Sequence, residues 1–292
     1  MLNKILMFFP QGVFFMVLSA GSFCMMTVFV KLAGNSLPTI QIVFVRGLFT
    51  LIVTGFFLLK EKINPLGKNK RLLTARGLSG TIALFLVYES IQRFPLSEAT
   101  VIQYLYPSFT AMIAAALISE TVDRNILIGL FAGFFGVYAI LGFPFLSNNC
   151  LHIESLAIAV CGSFLTGLAY VLVRKATSLN EHPLVVMFYF PFFTVPICLP
   201  FLFSVWEDTS LLEWFYLFFV GLFTQFGQLF LTYGYKKLPA TKAAPISYIQ
   251  VFFATIIGIV FFDEQLTFNF LIGSIMVLFS IILVMSSSTK KD

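Results

Sequence analysis

One arginine stands inside an otherwise apolar run. Arg46 sits in TIQIVFVRGLFTLIVTGFFLL, about seven residues in, which is roughly 10 Å along a helix at ~1.5 Å per residue. A guanidinium is always charged, so within a bilayer it requires a carboxylate, backbone carbonyls or a water-filled cavity. Glu89 is the candidate carboxylate. Two readings stand: a fixed Arg46–Glu89 pair, or an Arg46 that recognises an anionic solute group while Glu89 exchanges protons. Gln103, Gln225, Gln228 and Gln250 carry amides that hydrocarbon cannot satisfy, so they meet each other, water or a substrate. Tyr88, Tyr104, Tyr170, Tyr233 and Tyr248 offer rings for stacking and hydroxyls for orienting a ligand, and pack equally well as core residues. Ser247 extends the same polar set.

Other chemistry is missing from the sequence. His152 and His182 fall between apolar runs, and there is no HExxH, GxSxG or paired aspartate within such a run. Cys24, Cys150, Cys161 and Cys198 are widely spaced and form no CxxC. A catalytic set, a metal site and a cofactor are therefore not expected, and the chain reads as something other than an enzyme.

The elements that hold these residues follow from composition. Of 292 residues 59% are apolar and 11% charged, with a mean hydropathy of +0.96. At about 20 residues per crossing, ten helices fill most of the chain. Spans are expected near 11–32, 39–59, 75–93, 98–119, 125–144, 154–174, 183–204, 212–235, 241–262 and 268–286. The first is an uncleaved helix, since its apolar run continues to Val30 and more spans follow. The formal charge of +5 belongs to loops at a membrane face and not to a nucleic-acid surface. With the N-terminus inside, Lys4, Lys60, Lys62, Lys68, Lys70, Arg71, Arg76, Arg124, Arg174, Lys175, Lys236, Lys237, Lys242, Lys290 and Lys291 share one side, fifteen of the 18 basic residues. Lys31 and Arg93 fall on the other. This segregation predicts an even number of crossings and two cytoplasmic termini. Trp206 and Trp214 flank an outer loop as interfacial anchors.

The chain also repeats. Pro95–Leu141 slid by 144 positions onto Pro239–Met285 gives 12 identities in 47, among them Ala99/Ala243, Tyr104/Tyr248, Glu120/Glu264, Asn125/Asn269 and Gly129/Gly273. About 4 are expected from composition. Five crossings per copy is an odd number, so the second copy enters from the opposite face. The expected fold is an all-α membrane protein of ten transmembrane helices in two inverted five-helix repeats, 1–146 and 147–292. Inverted repeats place a solute site between the halves. Polar and small stripes assign the cavity to helices 1, 3, 4, 6, 8 and 9, with helices 5 and 10 as scaffold. Pro107, Pro191, Pro196, Pro200 and Pro245 are positions where helices can bend. Gly129, Gly133 and Gly136 form a GxxxG surface for close helix contact, within the chain or in a homodimer.

Arg46 within VFVRGLFTL, the stretch ARGLSGTIALFLVYESIQRFPLSEATVIQYLYPSFTAMIAAALISE at 75–120, and its second-half echo KKLPATKAAPISYIQVFFATIIGIVFFDEQ resemble the EamA-type permeases of the drug/metabolite transporter superfamily. The resemblance covers nearly the whole chain. It implies a secondary transporter in a bacterial inner membrane, moving an amino acid or related metabolite by alternating access. An uptake carrier for S-adenosylmethionine or a nucleotide-like compound is the alternative, and a lipid flippase of the same fold the alternative of another class. A small-molecule substrate and the bilayer are the implied partners. Two departures stand out: Gln41 occupies a position that is often Glu in this family, and Val251 stands where the first repeat has Pro107.

Overall fold

The computed structural model describes residues 10–94, 96–143, 153–262 and 268–287, and the regular structure in them is helix without a strand. Pro95, Cys150, His152, Glu264, Lys4, Lys290 and Lys291 lie outside these residues. The crossings are α1 (Gln11–Ala33), α2 (Thr39–Lys60), α3 (Lys70–Arg93), α4a (Leu96–Gln103) with α4b (Tyr106–Ile118), α5 (Arg124–Ile140), α6 (Ile153–Ser178), α7 (Pro183–Val205), α8 (Leu211–Lys237), α9a (Ala240–Ile246) with α9b (Ile249–Phe262), and α10 (Phe268–Ser286). Among the described residues nine helices, taking α4 and α9 as single spans, are long and apolar enough to cross a membrane, and α5 is a shorter apolar helix. The protein is a multi-pass helical membrane protein.

Helix ends are set by side chains that satisfy free backbone groups. Asp123 caps α5 by accepting from Ile126 N at 2.9 Å. Ser210 and Glu213 form a reciprocal capping box on α8: Glu213 N donates to Ser210 Oγ at 3.3 Å, and Ser210 N donates to Glu213 Oε2 at 2.6 Å. At the other end of α8, Arg174 donates to the carbonyls of Tyr235 and Lys236, both at 3.1 Å, where a cation also suits the helix dipole. The first turn of α3 contains Lys70 and Arg71, five residues ahead of the expected span, because a basic turn is stable once it projects from hydrocarbon into water.

The chain forms two compact units, residues 1–81 with 172–237 and residues 82–171 with 238–292. In the first, α1 lies antiparallel on α8. Ser19 Oγ donates to the carbonyl of Gly227 at 2.9 Å, and Phe29 stacks on Phe219 with centroids 4.9 Å apart. Ala33, Leu37, Ile42, Leu217 and Val220 close the buried cluster at one end. Helix α2 packs along α7, with Gly47 against Val195 and Gly55 against Phe188.

In the second unit α5 packs antiparallel on α10. A Cβ on Gly136 would lie 2.8 Å from the carbonyl oxygen of Gly273, and one on Gly273 would lie 2.5 Å from that of Gly136. Ser280 Oγ donates to the Gly129 carbonyl at 2.6 Å. Under the 144-residue shift Gly129 corresponds to Gly273 and Gly136 to Ser280, so each contact is the counterpart of the other. A reciprocal antiparallel pairing is what an inverted copy produces. The GxxxG surface is thus used within the chain.

Candidate functional site

Two crossings are interrupted, and they are interrupted at corresponding positions. Helix α4 breaks at Tyr104–Leu105 and α9 at Ser247–Tyr248, and Tyr104 and Tyr248 are repeat mates. A proline stands within a few residues of each break. Pro107 has no N–H for the carbonyl of Gln103, four residues earlier, and Pro245 none for that of Thr241. Tight i to i−3 bonds bridge the gaps: Ser108 N to Leu105 O at 3.0 Å, Ser247 N to Ala244 O at 3.1 Å and Tyr248 N to Pro245 O at 3.2 Å. The carbonyl that Pro107 leaves unpaired accepts from Ser163 Oγ at 3.0 Å instead. The three prolines of α7 leave that helix continuous.

Polar and aromatic groups collect at the interruptions. Tyr104 and Tyr248 lie ring to ring at 5.9 Å, Tyr104 and Tyr106 at 6.1 Å, and Tyr106 and Tyr170 edge to face at 5.3 Å. The Tyr106 hydroxyl donates to Ser247 Oγ. Gln103 Nε2 donates to Thr166 Oγ1 at 3.3 Å. Gly167 lets α6 approach the backbone of α4b, where a Cβ would meet Thr110 N at 3.0 Å. Tyr248 is fully buried over Gly133. Four of the expected residues, Tyr104, Tyr170, Ser247 and Tyr248, are therefore joined, with Tyr106 touching three of them, while Gln103 pairs with Thr166. Sequence reasoning passed over Tyr106, although its place beside Pro107 was the available signal. Glu120 holds the first turn of α9a, its two oxygens accepting from Ala240 N and Thr241 N, both at 3.0 Å.

The first unit holds Arg46, Gln225, Gln228 and Tyr233. Arg46 is 7% exposed, and its guanidinium contacts Met26 Sδ at 3.7 Å. Among the described residues no carboxylate pairs with it. Glu89, which belongs to the second unit, is engaged by Arg93 at 2.9 Å, and Arg93 also reaches Glu154 at 3.2 Å. The reason is spacing: Glu89 and Arg93 stand one helical turn apart on α3. The amide of Gln225 is satisfied by Thr54, which donates to Oε1 at 3.2 Å and accepts from Nε2 at 3.0 Å. Thr54 was not among the expected residues. The Gln228 carbonyl accepts from Thr232 at 2.8 Å, and Tyr233 packs on Phe15 at 5.5 Å. Tyr88 and Gln250 are half-buried on α3 and α9b.

Gln41, the family departure, is fully buried at the start of α2. Its Nε2 donates to the carbonyl of Glu207 and to Thr209 Oγ1, both at 2.9 Å, and its Oε1 accepts from Glu207 N at 3.0 Å. It clasps the loop between α7 and α8, and only an amide has both donors and an acceptor for those partners.

The sequence profile of the EamA-like transporter family matches twice, over residues 10–142 and 154–286. The chain is 26% identical over 286 residues to the pseudopaline exporter CntI of Pseudomonas aeruginosa, covering 96% of this chain and 97% of that one. It is 29% identical over 272 residues to human solute carrier family 35 member G1, covering 87% and 73%. It is 22% identical over 290 residues to the S-adenosylmethionine uptake transporter of Rickettsia prowazekii, covering 99% and 97%. One crystal structure, 14% identical, superposes with a TM-score of 0.79 over 93% of this chain and 95% of its own, a likeness of fold.

Proposed function

The chain belongs to the EamA-like transporter family, and from that premise we propose that it carries a small carboxylate-bearing metabolite, an amino acid or a relative of one, across the bacterial inner membrane by alternating access. The observation that supports this reading is the pair of crossings broken at mated positions. Interrupted helices at membrane depth are tolerated where they line a polar site, and in secondary transporters such segments carry the substrate. A buried guanidinium with no paired carboxylate among the described residues supports the anionic group. S-adenosylmethionine, named for the Rickettsia relative, carries an amino-acid carboxylate and is one compound of this class. Both termini are assigned to the cytoplasm on the charge map.

The test is a screen of the purified protein against amino acids, nucleosides and S-adenosylmethionine by thermal stability, followed by uptake in proteoliposomes. A ligand that binds only the folded state raises the apparent unfolding temperature. For a carboxylate-bearing hit, Arg46→Gln is expected to weaken binding about 10- to 100-fold, the scale of a charge-assisted hydrogen bond, and Arg46→Lys less, since it keeps the charge and loses the fork of donors. Because Glu89 is held by Arg93, adding Glu89→Gln is not expected to restore function. Unaltered binding by Arg46→Gln would remove the arginine from the site, and movement of labelled lipid without solute uptake would favour the flippase.

A further inference from the structure

Outside these crossings lies an open pocket of about 630 Å³ with four cations in its lining: Lys68, Lys70, Arg71 and Lys175, beside Asn69, Leu72 and Leu179. No carboxylate is among the lining residues. The wall is built and held. Gly67 turns the chain at φ +60°, where a Cβ would strike Leu73 at 2.6 Å and Glu181 at 2.8 Å. Buried Glu181 fixes the following residues through one oxygen, accepting from Lys68 N at 2.9 Å, Asn69 N at 2.5 Å and Asn69 Nδ2 at 3.1 Å. Tyr189 donates to the carbonyl of Leu66 at 3.0 Å. Glu181 is thereby turned toward the loop backbone and Glu61 faces His182 at 3.9 Å, and the lysine and arginine side chains remain for another anion.

The position selects the kind of anion. The pocket lies at the start of α3 and the end of α6, where two membrane-spanning helices leave hydrocarbon. The free N–H groups of the first turn of α3 add positive potential. Its apolar part is Leu72 and the exposed Leu179, and a basic pocket at helix ends beside exposed apolar surface suits a phosphate that carries an acyl tail. We propose that this pocket binds the phosphate headgroup of an anionic phospholipid, with Lys175 and Arg71 as its principal contacts.

The experiment uses the full chain in neutral detergent and measures unfolding temperature against added phosphatidylglycerol, cardiolipin, phosphatidylcholine or inorganic phosphate, with native mass spectrometry to count retained lipids. The two anionic lipids are expected to raise the unfolding temperature and to be retained, whereas phosphatidylcholine and phosphate at equal concentration do neither. Arg71→Gln with Lys175→Gln is expected to weaken anionic-lipid binding about 25-fold, about fivefold per cation at a membrane surface. Lys236→Gln with Lys237→Gln, outside the pocket, is expected to leave binding unchanged. An equal gain from phosphatidylcholine overturns the proposal, as does an equal gain from inorganic phosphate, which would make the pocket a site for free phosphate. Equal weakening by both variant pairs also overturns it, since diffuse surface charge would then account for the attraction. The comparison among lipids needs only the native protein, so an equal gain from phosphatidylcholine or inorganic phosphate overturns the proposal even if a variant fails to fold.

Discussion

At position 41 an amide and a carboxylate differ by two donors, and both are in use. Gln41→Glu would set a carboxylate against the carbonyl oxygen of Glu207 in a fully buried place and give up both N–H donations of the amide. The expected loss is about 1–3 kcal/mol for each buried group left unpaired, and Gln41→Ala, which gives up all three bonds, should also be destabilising. Thermal unfolding of the two variants checks this; a Gln41→Glu protein as stable as the parent would mean that the clasp is not formed. The same scale shows where reading a sequence stops. Arg46, Gln103 and Gln225 are identifiable as groups that must find partners, because hydrocarbon cannot solvate them. Their actual partners are not, since Thr54 is 171 residues from Gln225 and Thr166 is 63 from Gln103. Glu89 is the converse case, since its partner Arg93 stands one turn away on the same helix.

Among the elements, ten apolar spans were legible because length and hydropathy alone define them, and nearly all ends agree within a few residues. The interruptions were not. Five prolines marked places where backbone donors are missing, yet three of them leave α7 continuous while Pro107 and Pro245 stand beside breaks, so the residue type identifies an opportunity and the surrounding packing decides its use. The small-residue surface of α5 was visible as a contact face, and its occupant became clear only with the reciprocal approach to α10. That approach can be tested with one methyl group. Gly136→Ala places a Cβ against backbone atoms of Gly273 and Val277, which cannot rotate away, and should cost about 1–3 kcal/mol by overpacking. Gly55→Ala meets only Phe188 at 3.9 Å and should be neutral or slightly stabilising through helix propensity. Equal unfolding temperatures for the two would show that α5 and α10 are not in backbone contact.

For the whole molecule, the charge map makes the sharpest commitment. A reporter active only in the cytoplasm, fused at the C-terminus, should give signal, and a periplasmic reporter there should be silent; the opposite result would invert every loop assignment. The repeat arithmetic identified which segments are alike, but likeness in sequence does not say which segments pack, and each compact unit draws from both halves of the chain. That interleaving has a consequence for how the protein is made. The contact that fastens α1 to α8 joins Ser19 to Gly227, 208 residues later. At a synthesis rate of about 5–20 residues per second, α1 waits on the order of 10–40 s in the membrane before its partner has been translated. During that interval lipid, or the insertion machinery, has to shelter the face that α8 will cover, and a ribosome that stalls before α8 leaves a chain whose first unit cannot close.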